Sequence, residues 1–315
     1  MTKQKKILLC CGIAIAPLLA LVATLLRTIA LFREFDKDTG YFHASAPTNR
    51  AYLIICAVAV LLFLAFAIIA RRDLSTPTLG SGLSILFSAA YFLVTLAVSA
   101  ISNFISTAGA TTGLTKFFWI VSAVTALLAI AYFALFLIRA QSQGIRHGLL
   151  GMAPAFFALF TAILLYFDRS IQMNAPAKLL HMAAFLLLAC YFLWESRALL
   201  GSVKNAPYYF VTAVTLLLSL SASIPNLLYN LIENGALVLS SIYDFVLLAA
   251  ALYTLARLMQ LFPYELPSTH RMVQQFLRSR AAEAADTPAT DEAPAAEPSE
   301  APVSEDTAGD TTEQA

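Results

Sequence analysis

From Ile7 onward the chain is written in long apolar blocks separated by short polar or charged punctuation. Eight blocks are long enough to cross the roughly 30 Å hydrocarbon core of a bilayer as helices of about 20 residues. They run Ile7–Phe32, Ala51–Ala70, Gly82–Ile105, Phe117–Ile138, Leu149–Phe167, Ala177–Leu200, Pro207–Leu231 and Ala236–Leu261. Arg71 and Arg72 stop the second block, Arg139 ends the fourth, and Pro176 stands where a first-turn proline opens the sixth. Phe117 to Trp119, Tyr191 with Trp194, and Tyr208 with Tyr209 lie near block ends, where amphipathic rings settle at headgroup level. The pattern predicts an all-α membrane protein, an eight-transmembrane-helix bundle.

Charge gives this arrangement a direction. With the N-terminus inside, the cytoplasmic segments hold 13 Lys and Arg and the outer segments six, while Arg27 lies within the first span. Lysine and arginine accumulate on the cytoplasmic side of a membrane protein, so both termini are expected there. The first block exceeds the 7–15 residue core of a signal peptide and no A-x-A site follows it, which favours an uncleaved anchor.

Overall, 59% of residues are hydrophobic and 12% charged, against about 25% charged in soluble domains. The net charge of +1 hides an asymmetry. Residues 281–315 carry ten acids and no Lys or Arg, leaving +11 on the remainder. That Ala, Pro, Thr and acid-rich stretch holds too little apolar area to offset ordering entropy, so 286–315 is expected to be disordered and open to a cytoplasmic protein partner. Within 263–285, Met272, Val273, Phe276 and Leu277 share one helical side with Arg271, Arg278 and Arg280 around them. An interfacial helix on an anionic leaflet has this form. The four cysteines, Cys10, Cys11, Cys56 and Cys190, lie in apolar blocks without metal or redox spacing and read as small buried hydrophobes.

Polar residues inside the spans mark where a site would lie. A carboxylate at membrane depth costs on the order of 2.5–3.5 kcal/mol even on the lenient scale. Asp244, two turns into the eighth span, should therefore face protein or water, be partnered or be protonated, and Arg27 at similar depth in the first is the expected partner. Ser219, Ser223, Asn226 and Asn230 fall on one face of the seventh span, with Pro225 among them removing a backbone donor. Asn103 repeats the motif in the third span with Ser99 and Ser106, and His181 lies near the outer end of the sixth. All belong to the outer half, a pattern that suggests a polar vestibule. Glu195 and Arg197, at the inner end of the sixth span, read as an interface anchor whose charges snorkel.

Arg33 to Phe42 reads REFDKDTGYF. It lacks the spacing of a calcium loop and of a phosphorylated pump signature, and Asp38-Thr39-Gly40 suits a turn. There is no P-loop, HExxH or GxSxG, no nucleotide-binding glycine pattern, and no metal or cofactor set, so the chain is expected not to be an enzyme. The stretch LLRTIALFREFDKDTGYF, an Arg-bearing first span followed by D-x-x-TG-aromatic, resembles the opening of an uncharacterised bacterial multi-pass membrane protein family from anaerobes. That resemblance implies a bacterial inner (cytoplasmic) membrane. With the lipid bilayer as solvent and no nucleic-acid signature, two roles remain. One is a non-catalytic sensor, scaffold or accessory protein, and the other a small-solute transporter or permease.

Overall fold

The computed structural model describes residues 3–36, 39–43, 45–72, 74, 83–109, 113–138, 145–168, 174–201, 204–234 and 241–261. They belong to one compact unit, Met1–Arg271. The expected interfacial helix at 263–285 and the tail at 286–315 lie outside the described residues. The elements are α1 (Lys3–Arg33), a two-stranded hairpin β1 (Phe35–Asp36) and β2 (Tyr41–Phe42), α2 (Pro47–Ile69), α3 (Leu83–Gly109), α4 (Gly113–Ile138), the short α5 (Ile145–Leu150), α6 (Met152–Phe167), α7 (Pro176–Leu199), α8 (Asn205–Asn234) and α9 (Ile242–Met259).

Eight of these helices are long and apolar enough to cross a membrane. The protein is an integral membrane protein built as an all-α eight-helix bundle. Span five of the sequence is α5 together with α6, which run on through a helical Gly151 as one crossing of His147–Phe167, and Leu149 falls in α5. Because the spans alternate, the hairpin, the ends of α3, α6 and α8 and the starts of α4, α7 and α9 share one side of the bundle, called here the hairpin side. The start of α1 and the end of α9 share the other.

Lipid-facing leucines, isoleucines and phenylalanines stay exposed along α1 to α4, as expected of rods whose solvent is hydrocarbon. In the most apolar stretch of α2 only 22% of residues are buried, against 61% in the fifth span, in α8 and in α9. α2 therefore lies at the rim of the bundle and those three spans are its most enclosed. Small residues permit the close contacts. A Cβ added to Gly12 of α1 would stand 1.8 Å from the Phe66 ring of α2, and the Gly12 carbonyl accepts from Tyr209 of α8 at 2.9 Å. The cysteines are free but not core residues: Cys11 and Cys190 are exposed and Cys10 and Cys56 half-buried. In a bilayer an apolar block has an outer face as well, so apolar neighbours in sequence do not imply burial.

The sequence pattern left no strand in the first loop, yet Phe35 pairs with Phe42 and Asp36 with Tyr41. Asp36 and Gly40 close the turn. The Gly40 N–H donates to the Asp36 carbonyl at 2.9 Å, and Gly40 holds a φ of 74° that a side chain would resist. Thr39 donates to the Asp36 carboxylate at 2.8 Å, while Asp38 lies outside the described residues.

This hairpin is tied to α2 by Glu34. Ala46, the residue before α2, has no side chain able to cap it, and Glu34 supplies the missing acceptor. Its two carboxylate oxygens accept from the backbone N–H of Thr48 at 2.8 Å and of Asn49 at 2.9 Å. Desolvation works to raise the Glu34 pKa. The Thr48 hydroxyl, the two backbone donors and His43 outweigh it and hold the carboxyl below its usual 4.5. A carboxyl lowered in the native state stabilises at pH above its unfolded value and loses that contribution as pH falls through the native one. Glu34→Ala is accordingly expected to cost about 1 kcal/mol at neutral pH, the usual value of a helix cap. The difference between variant and parent should vanish in acid, which a comparison of melting midpoints across pH would show.

Candidate functional site

α8 organises the polar interior. Tyr208, Thr212, Thr215, Ser219, Ser223, Asn226 and Asn230 recur at intervals of three or four and so share one helical face. The first to the last spans about 33 Å at 1.5 Å per residue, the full thickness of a bilayer core. From Tyr208 to Ser223 every member is completely buried. Their partners show which way the face points: Thr215 donates to the Leu187 carbonyl of α7 at 3.3 Å, and Tyr208 lies 6.2 Å from the Tyr191 ring of α7. The opposite face of α8 serves α1 and α2 through Tyr209 to Gly12 and Ser221 to Tyr52. Thr212 and Ser223 also donate to carbonyls four residues back, at 2.7 and 2.8 Å. The outer half of this stripe is legible as a run of four residues, whereas Thr212 and Thr215 hide among the apolar residues of a membrane span.

At its hairpin end the stripe meets an ionisable pair. His181, one turn into α7, places Nε2 2.6 Å from Oδ1 of Asp244 in the first turn of α9. Asn226 sits against both, its Nδ2 3.4 Å from the same carboxylate oxygen and 3.4 Å from the imidazole nitrogen. One turn further out Asn230 donates to Ser241 at 3.2 Å.

The hydrogen bonding defines the charge of this pair. His181 Nδ1 lies 2.8 Å from the Ala177 carbonyl, which can only accept, so Nδ1 carries hydrogen. The 2.6 Å contact then needs one proton between Nε2 and Oδ1, either as imidazolium and carboxylate or as imidazole and carboxylic acid. Both forms are neutral overall. Without that proton a nitrogen lone pair would face a carboxylate oxygen, and the contact would have to open. The pair is thus a one-proton site whose occupied state is the one in this structure.

The expected Arg27–Asp244 ion pair does not form. Arg27 packs toward α2 and the hairpin, its guanidinium 5.3 Å from the Tyr52 ring centre and 5.6 Å from that of Phe42. Equal depth placed Arg27 and Asp244 together in sequence, but α1 lies on α8 and α2, with α8 between it and most of α9. Asn103 also stands apart, donating at 2.9 Å to Ser122 across the α3–α4 contact. The structure therefore joins His181, Asp244 and Asn226, adds Asn230 at the rim, keeps Ser223 on the same stripe, and separates Arg27 and Asn103. Of the outer polar groups Asp244 and Asn103 are buried, 5% and 1% exposed, whereas His181, Asn226 and Asn230 are half-buried.

At the other end of the stripe is a second buried pair that the sequence reading missed. Glu195 of α7 is not an interface anchor. It is buried, and its Oε1 lies 2.7 Å from Nη2 of Arg257 in α9. Tyr253 donates to the same oxygen at 2.6 Å, and Arg257 reaches Tyr253 at 2.9 Å and Gln260 at 3.0 Å. The Phe136 and Tyr253 rings flank the guanidinium, each 5.2 Å away. Only Arg197 of the WESR segment behaves as an anchor, exposed with its guanidinium 4.9 Å from the Trp194 ring. The signal available in sequence was the matched position of Glu195 and Arg257 one turn or less from the same membrane face, on helices running in the same direction.

Around this pair Glu195 Oε2, Arg257 Nε and the hydroxyls of Tyr132, Tyr191 and Tyr208 have no hydrogen-bond partner within 3.5 Å among the described residues, the Tyr208 hydroxyl lying toward Tyr191 and that of Tyr132 toward Tyr253. The polar stripe of α8 thus connects a neutral proton-sharing pair near one face to an ion pair with spare donors and one spare acceptor near the other. No family model, curated protein or solved structure matches this chain.

Proposed function

We propose that the protein is a non-catalytic carrier for a small polar solute, seated in a bacterial cytoplasmic membrane with both termini inside. The observation that carries this reading is the α8 stripe, seven polar positions spanning the bilayer core between two buried ionisable pairs. Polar residues within spans are rare and gather on solute or proton pathways. Lysine and arginine bias sets the orientation, so the hairpin side faces out and His181, Asp244 and Asn226 meet the solute first. Because that site needs one proton to hold its geometry, loading of solute there is coupled to proton occupancy. The resemblance of the first span and loop to bacterial multi-pass proteins supports the location.

A sensor or scaffold role has one feature in its favour, the ten acids of residues 281–315. Deleting 286–315 separates the two, since a carrier keeps its solute site without the tail and a scaffold loses its partner.

The carrier reading is tested by single cysteines at Ser223, Asn226 and Asp244 in a background with the four native cysteines replaced. A small membrane-impermeant thiol reagent added from outside should modify at least Asn226→Cys and Asp244→Cys. If the reagent reaches none of the three, no outward path exists and the reading fails.

A further inference from the structure

We infer that Arg27 is a binding site for an anionic oxygen group, a carboxylate or phosphate, near the hairpin side of the bundle. Arg27 is 2% exposed, and neither Nε nor Nη2 has a hydrogen-bond partner among the described residues. Guanidinium stays charged throughout the accessible pH range, so the cost of burying it cannot be relieved by losing a proton. Two ring faces, Tyr52 and Phe42, flank it at 5.3 and 5.6 Å. Rings offset part of the desolvation but accept no N–H in the guanidinium plane, where its donors point.

The described acids near it are engaged elsewhere. Both oxygens of Glu34 cap α2 through Thr48 and Asn49, and Asp36 accepts from Thr39. Asp244 holds His181 in a pair that is neutral as a unit. No described carboxylate forms an ion pair with Arg27. What remains is a caged cation with in-plane donors, the geometry that recognises a carboxylate or phosphate through parallel N–H to oxygen bonds. The inference does not depend on the α8 stripe conducting anything.

The source of the anion, a soluble solute or a lipid headgroup, is resolved by reconstituting the full chain into nanodiscs. In discs of phosphatidylcholine alone, acetate and inorganic phosphate are titrated at constant ionic strength against chloride while the melting midpoint is followed. A saturable upward shift with acetate or phosphate identifies a soluble ligand. A raised midpoint in phosphatidylglycerol discs without added anion identifies a lipid phosphate. Either shift should disappear in Arg27→Gln and be kept in part by Arg27→Lys, which preserves the charge and guards against loss of fold in the glutamine variant. Absence of both shifts in the parent protein, or equal shifts in Arg27→Gln, would overturn the assignment.

Discussion

Replacing Arg257 with leucine is expected to destabilise the bundle by about 3–5 kcal/mol, because it strands a buried carboxylate. Glu195 and Arg257 are 1% and 0% exposed, and the 2.7 Å contact between them is supported by the Tyr253 hydroxyl on both sides. Glu195→Leu should cost a similar amount by leaving the guanidinium without a counter-charge, held only by Gln260, the Tyr253 hydroxyl and two aromatic rings. The double variant Glu195→Leu with Arg257→Leu should be markedly milder than either single change, since a buried pair replaced by apolar groups loses its desolvation cost along with its attraction. Unfolding titrations of the three variants in mixed micelles would give the coupling. Additive losses would mean the two charges do not depend on each other, contrary to the geometry.

The second large effect is expected at Asp244. Asp244→Leu leaves His181 Nε2 without its 2.6 Å partner among largely buried groups, and an unsatisfied buried group of this kind costs about 1–3 kcal/mol, more when charged. Asp244→Asn is different. Its amide can donate to a neutral Nε2 while Nδ1–H keeps its bond to the Ala177 carbonyl, so stability should stay within about 1 kcal/mol of the parent. That variant has no proton left to share. On the carrier reading it folds, reaches the membrane and fails to move solute, whereas the leucine variant fails at the level of folding. A transport-competent Asp244→Asn would separate the pair from the proposed function. The two comparisons can be read from melting midpoints alongside uptake into cells expressing each form.

How much of this was visible beforehand follows from what a bilayer reads. Lipid responds to hydrophobic length, so the eight spans could be taken from the residue pattern with most ends within four positions, but α9 begins at Ile242 rather than Ala236 and so puts Asp244 in its first turn rather than two turns in. Lipid does not dictate which helix neighbours which, and no period in the sequence encodes it. Depth alone paired Arg27 with Asp244, and the packing of α1 on α8 and α2 sent them to different partners. The same blindness hid Glu195 and Arg257, each near a span end where a charge commonly escapes to the interface. His181 and Asn226 were legible as polar outliers, but their meeting with Asp244 depends on three helices converging. The Glu34 cap was hidden by its distance in sequence, 14 residues before the Thr48 N–H it accepts from.

The central claim is that the α8 stripe is a polar path through the protein rather than a row of hydroxyls satisfied by their own helix. Water-edited solid-state NMR of the protein in lipid tests it most directly. Magnetisation from water should reach Ser219 and Ser223 of α8, both fully buried, far sooner than it reaches Ala158 and Ala162 in the buried face of α6. Equal and slow transfer to all four residues would contradict the account.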